Sequence, residues 1–327
     1  MIRISLFVMA LLPAFLAAPG RAETSLQRNN EALFREIRQV HRLSDGEMKR
    51  VKEIFAKSGI MGQGNPAITR HPMTPAQCAA RLPGGVNSYL DARNQRICGD
   101  KYMAPLYDPQ TQRPEDATSC IDIFEFPNIP CTYPVVWTKA NEAAQLCSAI
   151  GKRICDAHEW EGACAGALGP ADYRFDLGSV AAMRAAHNSK YAPSAAWAYG
   201  PAYQRGMCAA ASTKSASCNG GGYNSCGSNT YPTGAFPGCV SDLGVYDLHG
   251  NAAEHMNLPM TPAQMASTGS TTLGVTEMKG SWFIFDSYRA HPDWCRWRAP
   301  FWHGTRVLSA ASHENYHLGF RCCKTVD

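Results

Sequence analysis

The cysteines of this chain form no C-x-x-C pair, which removes the spacing of a zinc ribbon and of a thioredoxin-like redox motif. Charge is sparse: Asp, Glu, Lys and Arg make up 18% of the residues and the formal net charge is only +4, so there is no single-sign surplus to hold nucleic acid or an anionic membrane. One long apolar run, Ile4–Ala18, lies at the start; it is too short to span a bilayer comfortably, and no second stretch approaches that length. No internal repeat appears, and scattered Ser, His and Asp residues suggest no hydrolase triad.

What the chain has is cysteine. Fourteen are present: Cys78, Cys98, Cys120, Cys131, Cys147, Cys155, Cys164, Cys208, Cys218, Cys226, Cys239, Cys295, Cys322 and Cys323. An even number in an exported protein reads as a disulfide framework, because an oxidising compartment lets thiols pair and stay paired. Export is expected from the first 22 residues. Arg3 precedes the apolar run, and Gly20 and Ala22 put small residues at the positions before a cut after Ala22; a cut after Ala18 is the alternative. Cleavage would remove Arg3 and Arg21 and lower the formal charge from +4 to +2. The protein is therefore expected to be periplasmic or secreted, without a transmembrane anchor and without nucleic acid as a partner.

Organisation follows in three parts: a signal peptide (1–22), a helical hairpin with a wrapping extension (23–117), and a main domain (118–327). In the extension, Leu26, Leu33, Ile37 and Val40 recur at helical spacing, and Ser44 with Glu47 opens a second helix carrying Met48, Val51, Ile54 and Phe55 and ending at Gly59. These stripes suit an αα-hairpin docked on the main body or a partner-binding helix. Cys120–Phe126 and Pro134–Trp137 look like strands. Ala143, Leu146, Cys147 and Ile150 mark a helix stopped by Gly151, and Asp156 with Glu159 caps another carrying Trp160, Ala163 and Cys164. Residues 166–243 read as long loops, with short strands expected near Gly244–Tyr246, Gly280–Phe285 and Leu318–Cys322.

Asp247 and Glu254 flank a tight Gly250-Asn251 turn, an arrangement that suits a hard, oxygen-seeking cation or, equally, a simple turn capped by Asp247. Around that turn a resemblance becomes specific. The chain resembles the formylglycine-generating enzyme, or sulfatase-modifying factor, family in four blocks kept in family order. These are Cys120–Asn128; Pro134–Trp137 with Gly151–Cys164; Gly244–Glu254; and Lys279–Trp282 leading to Gly319–Cys322. The wider group includes a pyoverdine-maturation protein and the sulfoxide synthases of ergothioneine synthesis.

The resemblance implies an α+β fold, a variant of the C-type-lectin-like fold, loop-rich and disulfide-braced. It implies structural Ca²⁺ held by Asp247 and Glu254 side chains and by Gly250 and Ala252 carbonyls, with Asn219 and Gly220 as part of a second site. It also implies two bridges, Cys147–Cys322 and Cys164–Cys295.

The departure from the family is as informative. Copper-dependent members carry two catalytic cysteines after the Gly-Ser-aromatic strand, whereas here the matching positions fall near Ile284/Phe285 and Arg289/Ala290. Soft Cu(I) wants thiolates, and this stretch offers none. Ser281 matches the family's active-site serine, so Ser281, Trp282 and Asp286 are the candidate catalytic residues. Trp294, Arg296, Trp297, Arg298 and His303, with Phe301 and Trp302 beside them, form an aromatic-arginine cluster that suits a substrate cleft or ordinary packing. His249, His255, His291, His303, His313 and His317 lie in the same third of the chain and could hold Fe or Cu with Asp286, although their spacing defines no clear ligand set.

Two functions are expected from this. One is an exported maturation factor, an oxidoreductase acting on a periplasmic peptide or peptide-derived substrate without the copper-cysteine pair. The alternative is a non-catalytic, calcium-braced module that binds a partner protein.

Overall fold

The computed structural model describes residues 24–299 and 305–326. The expected signal segment and Phe301, Trp302 and His303 lie outside them.

Two capped helices open the described chain. Helix α1 (Ser25–His41) starts at Thr24, whose hydroxyl accepts from the Gln27 amide, and α2 (Asp45–Ser58) starts at the Ser44/Glu47 box and ends at Gly59 in the left-handed region. Leu33, Phe34 and Ile37 of α1 bury against Met48, Val51 and Phe55 of α2, with the Phe34 and Phe55 rings edge to face at 5.0 Å. The same cluster continues into Ala143, Leu146 and Cys147 of the helix Ala140–Ala149 described below. The pair is thus a hairpin docked on the body. Ile37 and Val51 are fully buried, each contributing about 1.5–3 kcal/mol.

Short helices α3 (Pro75–Arg81) and α4 (Ala92–Cys98) follow, then strand β1 (Met103–Leu106), which pairs antiparallel with β2 (Ser119–Asp122). Helix α5 (Ala140–Ala149), strand β3 (Arg153–Ile154) and helix α6 (Ala157–Ala165) come next; the two helices are those expected from the Gly151 stop and the Asp156/Glu159 cap, and β3 is unexpected. Residues 166–243 also contain a helix that periodicity did not reveal, α7 (Val180–Tyr191), capped by the Ser179 hydroxyl. Its buried positions include Arg184 and His187, so its inward stripe is partly polar and hydropathy does not mark it.

The last third supplies strands β4 (Ala253–Leu258), β5 (Val275–Lys279), β6 (Leu318–Phe320) and β7 (Cys322–Thr325). Three expected strands are corrected here. Gly244–Tyr246 makes only an isolated bridge between Tyr246 and Val240. Gly280–Phe285 is a turn: Gly280 has φ 73°, and a Cβ there would lie 2.9 Å from the Leu248 carbonyl, so the strand is β5, ending at Lys279. Pro134–Trp137 likewise contributes one bridge, Val136 to Gly62.

The strands form two sheets, β1-β2-β7-β3 and β5-β4-β6. The chain leaves the second sheet at Phe320 and enters the first at Cys322, so Arg321 is the corner between them. Consecutive residues on a strand face opposite sides. Accordingly Cys322 bonds Cys147 of α5 in one core layer, while Cys323 bonds Cys155 in the other. All fourteen cysteines are paired. Cys147–Cys322 and Cys164–Cys295 are the two bridges the resemblance implied. Cys78–Cys131 and Cys98–Cys120 fasten the wrapping extension, and Cys208–Cys239 and Cys218–Cys226 brace loops. No described helix is long and apolar enough to cross a membrane.

Candidate functional site

Asp247, Gly250 and Asn251 all have positive φ, and the segment they shape lies against Ala209, close enough that a Cβ on Gly250 would meet the Ala209 carbonyl carbon at 2.7 Å. This fold of the backbone aims the Gly250 amide at Ser281, whose hydroxyl accepts from it at 2.9 Å and donates to Asp293 Oδ2 at 2.9 Å. Asp293 Oδ1 accepts from the Trp197 indole at 2.8 Å, and His249 Nδ1 lies 3.5 Å from Oδ2. Burial raises the Asp293 carboxyl, but His249, Trp197 and Ser281 outweigh it and hold it below its ordinary value. Beyond the imidazole, Nε2 accepts from the Ala198 amide at 3.1 Å and sits 3.3 Å from Cys164 Sγ and 3.9 Å from Cys295 Sγ. Ser281 is therefore buried at the head of a relay, Ser281–Asp293–His249, that ends on the Cys164–Cys295 bridge.

The calcium candidates separate. Glu254 is a residue of β4 rather than of a loop. Both its oxygens are taken by Arg321, at 2.7 Å each, and Oε2 also accepts from Trp160 Nε1 at 3.1 Å. Asp247 Oδ2 accepts from the Gly234 amide at 2.6 Å, while Oδ1 has no partner. Glu125, which sequence reasoning did not single out, bonds the Ala252 amide through Oε1 and leaves Oε2 without one. Burial pushes the Asp247 carboxyl up to about 7, and burial with the nearby Asp247 and Glu254 charges pushes Glu125 well above the carboxylate range. Two buried acceptors without partners fit a hard cation or a proton. The oxygens open to it belong to Asp247 and Glu125; Glu254 is committed to Arg321. Asn219 and Gly220 are exposed in the small loop closed by Cys218–Cys226.

The residues around the missing copper positions build an aromatic shelf. Trp282 stacks on His317 at 4.9 Å and meets His291 at 5.3 Å and Tyr288 at 6.3 Å; His291 stacks on Trp297 at 4.8 Å. Tyr288 is 60% exposed, and the buried Trp282 indole N–H has no partner. Asp286 accepts from Tyr203 Oη at 2.5 Å and from the Gly206 amide at 3.1 Å, while Arg289 lies over the Tyr203 ring at 3.8 Å.

The aromatic-arginine cluster divides. Trp297 joins the shelf, Trp294 is half-buried, and Arg296 turns to the Tyr191 ring on α7 at 4.8 Å. Arg298 is corrected from a cleft residue to a core one. It is fully buried and bonds both oxygens of Glu161, at 2.9 and 3.1 Å, beside Lys279. Burial raises the Glu161 carboxyl, but Arg298, Lys279 and His187 outweigh it and hold it down to about 2.

The candidate histidines do not converge on Asp286 among the described residues. Among the described residues, one group of three metal-ligating side chains comes together, Cys164, His249 and Cys295. His255 instead bonds the Thr138 carbonyl at 2.9 Å, with burial lowering its pKa to about 4.

Among solved structures the chain is similar to CarF, at 12% identity over 70% of this chain and 98% of that one, with a TM-score of 0.33. No curated protein sequence matches it. The model of the sulfatase-modifying factor enzyme 1-like domain matches residues 110–326, which include both sheets from β2 onward, the Ser281 relay and the aromatic shelf. The chain belongs to that family.

Proposed function

We propose that this protein is an exported maturation factor that holds a periplasmic peptide or peptide-derived substrate against the aromatic shelf and modifies it oxidatively, without a copper-bound cysteine pair. The observation that carries this is the shelf itself. Trp282, Tyr288, His291 and Trp297 surround the stretch where copper-dependent relatives would carry their thiols, and all fourteen cysteines here are already bonded. Flat aromatic faces with an adjacent arginine suit planar or peptide groups by stacking and cation–π contact. Seven disulfides support an oxidising compartment.

A structural calcium ion belongs to the proposal through Asp247 Oδ1 and Glu125 Oε2, where it would neutralise two buried acids and fix the loop beside Ser281. The second function, a non-catalytic module presenting the same shelf to a protein partner, is favoured by one observation. The Ser281 hydroxyl and both Asp286 oxygens are engaged in internal bonds.

Mass spectrometry of periplasmic extracts from cells with and without the gene, each incubated aerobically with the purified protein, separates the two. A peptide-derived species that loses hydrogen or gains oxygen only when the protein is added supports the maturation factor. An unchanged extract, together with a protein retained stoichiometrically on the immobilised chain, would replace it with the binding module.

A further inference from the structure

The Cys164–Cys295 bridge is unlike the other disulfides in having an imidazole against it. His249, Cys164 and Cys295 are each 1% exposed, and their ligand atoms all lie within 4.8 Å of one another. The Ala198 amide donates to Nε2, which leaves the ring proton on Nδ1, facing the Asp293 carboxylate at 3.5 Å. Nε2 is therefore the nitrogen without the proton, its lone pair held by the Ala198 amide, with the two sulfurs beside it at 3.3 and 3.9 Å.

We propose that these three residues form a redox-gated zinc site, closed while Cys164 and Cys295 are joined and opened when a dithiol reduces them. In that step the S–S bond accepts two electrons and two protons from the dithiol, which closes into its own disulfide. The two protein thiols then lose their protons as the cation binds.

The distances suit the metal. Zn–S bonds of about 2.3 Å and Zn–N bonds of about 2.0 Å at tetrahedral angles place nitrogen and sulfur about 3.5 Å apart. His249 Nε2 stands at 3.3 and 3.9 Å from the two sulfurs. The sulfurs themselves must part to about 3.8 Å once the bridge opens. Two thiolates and an imidazole suit Zn(II), and the two thiolates neutralise its charge in a buried site. Asp293 stands 3.5 Å from Nδ1, where carboxylates sit behind zinc-bound histidines, and Ser281 holds Asp293. The metal would take the Nε2 lone pair from the Ala198 amide, so its arrival would be felt in the 196–198 segment and at Trp197. The site does not depend on the substrate proposed above.

The test uses the whole folded protein, anaerobic, with a phosphine reductant added stepwise. Peptide mapping after alkylation identifies the bridge that opens, and elemental analysis after gel filtration counts zinc. The expected result is no retained zinc in the oxidised protein and one equivalent once Cys164 and Cys295 are free. His249→Gln should bind zinc at least tenfold more weakly, and Asp293→Asn about ten- to a hundredfold more weakly. Cys164→Ala/Cys295→Ala should retain none, and if that variant does not fold, His249→Gln, which leaves every disulfide in place, carries the comparison. Equal zinc in His249→Gln and the parent, preference for Cu(I) over Zn(II) at equal free concentration, or unfolding before this bridge opens would each overturn the proposal.

Discussion

Asp247→Asn is expected to remove a loss of stability that the parent carboxyl brings as the pH rises above about 4. The parent carboxyl is fully buried, with one oxygen on the Gly234 amide and the other unpartnered, and burial lifts it from 3.8 to about 7. A carboxyl whose folded pKa lies above its unfolded value binds its proton more tightly in the native state. Its contribution is complete below the unfolded pKa and is lost as the pH rises through the folded one, a window from about pH 4 to about pH 7. A displacement of about three units corresponds to roughly 4 kcal/mol at 1.36 kcal/mol per unit. Glu125 is raised beside it, so the slope belongs to the pair. Glu161 moves the other way: held down to about 2, it contributes stability that is lost only as the pH falls toward that value, below the window. Urea unfolding in EGTA with disulfides intact, at about pH 4, 6 and 8, should show the stability difference between parent and variant changing by several kcal/mol in favour of the variant. His41, His71 and His255, whose burial lowers their pKa, act the other way in both proteins and cancel in that difference. Calcium at about pH 8 should restore the parent and leave the variant unchanged, because the cation takes the place of the proton. Equal slopes in the two proteins would show that Asp247 is not the titrating group. A parent indifferent to calcium would remove the cation from the proposal.

Arg321→Met should cost about 3–5 kcal/mol at neutral pH in urea unfolding, since it leaves buried Glu254 with only the Trp160 N–H; adding Glu254→Gln should recover part of it, and a loss below about 1 kcal/mol would refute the pairing. Opening Cys155–Cys323 alone should cost about 3 kcal/mol rather than the roughly 5 its 168-residue separation suggests, because Cys147–Cys322 already closes nearly the same loop. Opening both should then cost distinctly more than the two single losses added, and additive losses would refute the shared loop. Tyr288→Ala, on an exposed ring, should leave the Tm unchanged while weakening the peptide or protein ligand by about 2 kcal/mol, roughly thirtyfold in Kd; unchanged affinity would move the binding surface elsewhere.

Much of the fold was legible because local chemistry announces it. The Ser44/Glu47 and Asp156/Glu159 boxes mark α2 and α6, and in the structure Glu47 and Glu159 reach back to the cap amides at 2.8 Å. The strands near Ser281 were misplaced because burial there is not apolar: β4 is buried at every position yet carries Glu254, His255 and Asn257, each satisfied by a distant partner. Two of the three long bridges, Cys147–Cys322 and Cys164–Cys295, come from the resemblance, whereas the pairing of the other ten cysteines depends on how distant segments meet. The same applies to the site. Ser281 could be named from the Gly-Ser-Trp block, but its partners Asp293 and His249 lie 12 and 32 residues away along the chain, and no local spacing links them. Arg298 shows the converse, since an arginine among tryptophans reads as a cleft until its partner Glu161, 137 residues earlier, is seen.

The corner at Arg321 bears on the order in which the molecule can be assembled. β7 lies between β2 and β3, pairing Lys324 with Cys120 and Cys322 with Ile154, and β6 lies beside β4. A chain emerging from its N-terminus can form the hairpin of α1 and α2 and the β1–β2 pair early, but neither sheet is complete until residues 318–325 arrive. Until then Cys147 and Cys155 lack their partners, and the acids around Glu254 lack their cation. One short segment thus closes two sheets, two crosslinks and a buried ion pair together, and the body cannot lock before it is in place.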